Sequence, residues 1–349
     1  MASLRGGWRG ILLAGFVFVT GCGLPPTQRV TRQSGESLVF VGEEPSLLAY
    51  PVSRDEPLQL RSTYGPGAAT VTYEEGRDYR VDYARGALVR LPDSRLPDFR
   101  TNVLFGQATF DHTKFAGYGN KPFFAYVDYR AATAARWPVQ PGQADRLRVT
   151  QRKLRAGEAV TIVAFGDSIT NGGEASVPEL IFWRRWVADL QTKYPRARIN
   201  AINGATGGDT ISRGLQRLQE KVLAAKPDLV LIGFGMNDHN RRGVPLPDFE
   251  RQLREMIARI RAETTAEIVV YSTFPPNPRW VAGTNRMAEY AAATARVATE
   301  TQCAYADVFN NWQAMSARKR PEDLLANNIN HPNDFGHWIY YRVLAAIEL

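Results

Sequence analysis

Four short blocks in the chain carry side chains that could do nucleophilic chemistry. The first is Gly166-Asp167-Ser168-Ile169-Thr170, directly after the apolar run Val160–Phe165. A serine on a tight turn from strand into helix projects its hydroxyl above the sheet and keeps its own backbone N–H free, which places a nucleophile beside a donor. The other blocks are Asn203-Gly204-Ala205-Thr206-Gly207-Gly208-Asp209-Thr210, Gly233-Phe234-Gly235-Met236-Asn237-Asp238 and Asn330-His331-Pro332-Asn333-Asp334-Phe335-Gly336-His337. Singly, each has an ordinary structural use: Ser168 can cap a helix, Gly204 can make a turn, and Asn237 can hold a loop. Their weight comes from standing together, each just after a run of strand length or before a final helix.

The elements that must position these blocks are legible in the hydrophobic pattern. After about Gln151, apolar runs at 160–165, 199–202, 229–232, 268–271 and 304–309 alternate with segments of helix length. Within one such segment, Phe249, Leu253, Met256, Ile257 and Ile260 fall on a single helical face behind Pro247-Asp248. Continuous apolar strands alternating with amphipathic helices predict a parallel sheet covered on both faces, with ligands at the carboxyl ends of the strands. Residues 37–130 read differently. Short alternating segments rich in Tyr, Phe and Val, at 37–41, 69–73, 79–83, 102–105 and 123–127, predict a small antiparallel β-sandwich. Such a module serves either as a spacer or as a domain that positions carbohydrate with exposed aromatics.

The four blocks, in this order and position, resemble those of the SGNH (GDSL-like) hydrolases over roughly residues 158–349. The nucleophile elbow of α/β-hydrolases fits less well, because Thr170 stands where that motif has glycine. The resemblance implies a three-layer α/β/α fold with a flavodoxin-like parallel sheet. It implies Ser168 as nucleophile, His331 as general base, and Ser168, Gly204 and Asn237 as oxyanion-hole donors, with no cofactor. Acyl transfer needs a serine that loses its proton as it attacks, a base that titrates near neutrality and donors aimed at the developing oxyanion, and these residue types supply them.

One departure concerns what orients His331. The family pattern has Asp three residues before the histidine, and here Asn328 occupies that position. A neutral amide stabilises an imidazolium less than a carboxylate does, so Asn328 is the candidate acceptor for the Nδ1 proton, with Asp334 and then Asp323 as substitutes. His239 and His337 match no catalytic position and read as surface or helix-start residues, with His239 close enough to line the pocket. Four histidines and two cysteines without ligand spacing argue against a metal site. The 204–208 loop lacks the Gly-Lys-Ser/Thr ending of a phosphate loop.

The chain begins with an address. Residues 1–21 carry two arginines, no acid, a short apolar stretch from Ile11 to Val19 and then small residues, the form of a secretory signal. Val19-Thr20-Gly21-Cys22 resembles the bacterial lipobox, which makes Cys22 the lipid attachment point, followed by a tether over 22–36. Removing Arg5 and Arg9 with the signal takes the formal charge from +8 to +6. That surplus is scattered and comes with no nucleic-acid motif. Cys303 then has no partner and reads as a buried thiol.

The resulting organisation is signal peptide 1–21, tether 22–36, β-sandwich 37–150 and hydrolase domain 151–349. The resulting function is a serine esterase of short acyl esters, especially O-acetyl groups on a carbohydrate. It is held through Cys22 to the membrane of a bacterial envelope, at the outer membrane or in the periplasm. A lipase, thioesterase or acetyltransferase of the same family is the alternative enzyme, and a catalytically silent glycan-binding protein of the envelope is the alternative of another class.

Overall fold

The computed structural model describes residues 27–140 and 142–349. The anticipated signal peptide, Cys22 and the first residues of the tether lie outside them.

The N-terminal region is antiparallel throughout its paired strands. Its strands are β1 (Thr27–Arg29), β2 (Arg32–Leu38), β3 (Ser46–Leu47), β4 (Gln59–Arg61), β5 (Thr72–Tyr73), β6 (Tyr79–Asp82), β7 (Ala87–Arg90), β8 (Ala125–Arg130) and β9 (Arg136–Pro138). They form a four-stranded sheet β2-β8-β4-β5, a three-stranded sheet β3-β7-β6 and the pair β1-β9. Pairing therefore starts at Thr27, inside the stretch anticipated as tether. Polar residues enter β2 because partners await them: buried Glu36 accepts from Ala49 N–H, the Tyr129 hydroxyl and the Lys319 ammonium. The anticipated strand at 102–105 is instead a turn, since the Asn102 side chain accepts from Leu104 N–H and closes the chain on itself.

Helix α1 (Arg148–Ala156) leads into a parallel sheet of β10 (Ala159–Gly166), β11 (Arg198–Asn203), β12 (Leu229–Gly233), β13 (Glu267–Tyr271) and β14 (Ala304–Ala306). Their order is β11-β10-β12-β13-β14, every pair parallel. Between and after them run α2 (Phe182–Lys193), α3 (Ile211–Lys221), α4 (Leu246–Glu263), α5 (Met287–Glu300), α6 (Val308–Ser316), α7 (Pro321–Leu324) and α8 (Asp334–Ala345). Helices α3, α4 and α5 pack in series, while α2 packs on α8 and α8 on α6. The predicted face of α4 is the buried one. All of β12 is buried, as a strand covered on both faces must be.

Strand order is what locates the site. The chain leaves β10 toward β11 on one side and returns to β12 on the other, so the order reverses at β10. A crevice opens at such a reversal, outside the carboxyl ends of β10 and β12. Ser168 follows β10 by two residues, and Asn237 follows β12 by four.

Candidate active site

Gly166 closes β10 where only glycine fits, since a Cβ there would meet Gly233 O at 2.3 Å. The turn that follows is drawn tight: Asp167 Oδ1 accepts from Ile169 N–H, and Gly173 N–H donates to Ser168 O. Burial raises the Asp167 carboxyl to about 7. Ser168 is left half-buried with its hydroxyl 2.8 Å from His331 Nε2. The histidine is held from its backbone. Asn327 Oδ1 accepts from the N–H groups of Ile329, Asn330 and His331, while His331 O accepts from Ala326 N–H. Asn333 caps α8 through Gly336 N–H. For Nε2 to take the serine proton, Nδ1 must carry the other ring proton.

The donors around Ser168 come from three loops. Ser168 N–H, Gly207 N–H and Gly208 N–H have no acceptor among the described residues. A Cβ on Gly207 would stand 3.9 Å from Ser168 Cβ, so this stretch of the β11 loop borders Ser168. Asn237 Nδ2 spends one hydrogen on Asp209 O at 2.9 Å and keeps a second. Asp238 clamps the two loops, accepting from Ile211 N–H and Gly235 N–H, and burial raises its carboxyl to about 7.

Two anticipated roles are corrected by this geometry. Gly204 N–H donates to Ala164 O at 2.9 Å and so continues the β10–β11 ladder instead of facing the crevice. The unengaged donors lie three and four residues further on, at Gly207 and Gly208. Asn328 does not reach His331 Nδ1; its carbonyl and Oδ1 both accept from Asn277 Nδ2, at φ +58°, a backbone state asparagine tolerates. The substitutes are engaged too: Asp334 accepts from Ser176 N–H, and Asp323 from Val39 N–H and Arg320 N–H.

The sequence model of the GDSL-like lipase/acylhydrolase family matches residues 164–339, from within β10 to within α8. The chain belongs to that family. An arylesterase of Vibrio mimicus is 30% identical over 116 residues, covering 33% of this chain and 56% of that enzyme. An acetylxylan esterase of Geobacillus stearothermophilus is 25% identical over 213 residues, covering 54% of this chain and 94% of the relative. A solved two-domain esterase active on acetylated mannans aligns with a TM-score of 0.50 at 23% identity, covering 58% of this chain and 53% of that one. That likeness is one of fold. The chain thus spans little more than half the length of the arylesterase and of the two-domain esterase.

Against the family pattern, the residue that sequence reasoning missed is Glu174. It lies in the loop after the nucleophile, with Oε1 4.0 Å from His331 Nδ1 and Oε2 2.5 Å from the Lys121 ammonium. His331 above all, and Lys121 with it, hold its carboxyl down to about 2 against the opposing effect of partial burial. Glu174 and Lys121 also border an open cleft of about 740 Å³ between the N-terminal sheets and the hydrolase, walled by Tyr64, Phe124 and Asp334. His239 and His337 are buried, not at the surface. His239 Nδ1 faces Met236 O, and His337 stacks on Phe182 with burial lowering it to about 4. Cys303 is a buried thiol whose pKa burial raises. Among the described residues, no group of three or more His, Cys, Asp or Glu could hold a metal ion, and no helix is long and apolar enough to cross a membrane.

Proposed function

We propose that this protein is a serine esterase that removes short acyl groups, foremost O-acetyl, from a carbohydrate. The observation that carries the reading is the 2.8 Å approach of His331 Nε2 to Ser168 Oγ beside unengaged N–H donors. Ser168 Oγ attacks the ester carbonyl as its proton passes to His331 Nε2. The developing oxyanion takes Ser168 N–H, the Gly207–Gly208 amides and the free Asn237 Nδ2 hydrogen. Collapse breaks the bond to the alcohol, which leaves with the proton from His331, and the acyl group stays on Ser168. Water then attacks that acyl-serine, again losing a proton to His331, and the carboxylic acid departs.

Two observations support an acetylated glycan as substrate. One relative matched along 94% of its length is named an acetylxylan esterase. The second is the open cleft of about 740 Å³ bordered by Glu174, room for sugar units beside the Glu174 loop. The lipobox at Val19–Cys22 supports tethering of this activity to a bacterial envelope membrane.

The test is acetate release from acetylated xylan and mannan fragments, beside esters of longer acids. Wild type should release acetate, and Ser168→Ala should lose at least about 10³-fold in kcat. Preference for long acyl chains would overturn the deacetylase reading. Equal rates for wild type and Ser168→Ala would overturn the esterase reading itself.

A further inference from the structure

We propose that Glu174 is the carboxylate that orients His331 in place of the missing Asp at position 328, and that Lys121, from the N-terminal sheet region, fixes where that carboxylate stands. The inference rests on the esterase reading and names two positioning residues for it.

His331 Nδ1 is buried and has no hydrogen-bond partner among the described residues. Its proton cannot be dispensed with, because Nε2 must be bare to accept from Ser168. A buried donor without an acceptor is costly, and a site that generates an imidazolium makes that worse. Of the carboxylates near the ring among the described residues, only Glu174 is placed to serve. Asp334 is turned to Ser176 N–H and Asp323 to Val39 N–H just after β2, while His337 Nε2 faces Gly173 O. Arg185, near Asp334 and His337, is bonded to the Tyr64 hydroxyl.

Glu174 divides its two oxygens between two cations. Oε2 pairs with Lys121 at 2.5 Å, and Oε1 stands 4.0 Å from Nδ1. A side-chain rotation of about 1 Å closes the second gap to hydrogen-bond length, and catalytic hydrogen bonds are often long until substrate is bound. Glu174 sits at φ +70°, a left-handed state that a non-glycine residue adopts at some cost. Lys121 opens a short 3₁₀ turn at Lys121–Phe123, just before β8, so a residue of the antiparallel region reaches the catalytic centre. The N-terminal region is thereby part of the active site.

The experiment compares wild type, Glu174→Gln, Lys121→Met and Lys121→Arg on 4-nitrophenyl acetate across pH, and follows labelling of Ser168 by a fluorophosphonate. Glu174→Gln should lose about 10²-fold in kcat with KM within about twofold, and label proportionally more slowly. Lys121→Met should lose several-fold in kcat, and Lys121→Arg should recover most of it. A Glu174→Gln enzyme with wild-type kcat and a wild-type rate of Ser168 labelling overturns the role of Glu174; an unaffected Lys121→Met overturns that of Lys121. A wild type that neither turns over nor labels is a different result, since it overturns the esterase reading beneath both.

Discussion

At Gly173 there is no room for a side chain. A Cβ would stand 2.9 Å from Ser168 O, 3.2 Å from His331 Nδ1 and 3.3 Å from His331 Cε1, so one methyl group would press on Ser168 and His331 together. Its backbone is not left-handed, so alanine can follow the chain, and the effect is one of space. Gly173→Ala should fold and bind a small ester while losing roughly 10²-fold in kcat, the scale expected when reacting groups shift by about 1 Å. Steady-state kinetics check this, and a kcat near wild type would mean the ring has slack. Residues at this scale were unequally legible. Ser168, Asn237 and His331 stand in compact motifs that name their own positions. Glu174 and Lys121 do not, because their meeting depends on how two regions 53 residues apart pack. Gly204 misled for a related reason: the loop holds three glycines, and which amide stays free depends on how far the β10–β11 ladder runs.

At the scale of elements, apolar runs told strand from helix in the parallel half because both faces of each strand are covered. The antiparallel half was harder, since its strands are short and one of them, β2, is polar in sequence but buried through Glu36. The loops closing β10 and β12 carry a cost that depends on pH. Asp167 is raised to about 7 by burial, from 3.8 in the unfolded chain. Below about pH 4 both states hold the proton and no cost arises. As pH rises, the unfolded chain releases its proton first, so the folded state loses stability until about pH 7, where the penalty is complete. Asp167→Asn keeps the acceptor for Ile169 N–H without that penalty. Its Tm relative to wild type should therefore become more favourable from pH 4 to pH 8, followed by thermal unfolding; a constant difference would show that Asp167 ionises as readily in the fold as outside it.

For the whole molecule, the division into a β-module and a hydrolase understates their union. One apolar core runs from Leu38 and Tyr129 to Phe335 and Tyr340, crossing between the two regions. Fastened across it is an ion pair fully withdrawn from water: Lys319 Nζ lies 2.9 Å from Glu36 Oε1 and also donates to Leu47 O. Beside it, Asp323 accepts from Val39 N–H, and Asn333, two residues past His331, donates to the Ser37 hydroxyl. The segment that carries His331 is thus anchored on β2. Removing Lys319 would leave Glu36 buried and uncompensated, a defect of about 3–5 kcal/mol. Lys319→Met should lower Tm by roughly 5–10 °C in a single cooperative transition, because a shared core transmits the loss to both regions. Adding Glu36→Gln should recover part of it by removing the stranded charge. Calorimetry decides the matter: two separate transitions, with only the earlier one displaced, would mean that the sheets unfold apart from the hydrolase and that the union is one of contact alone.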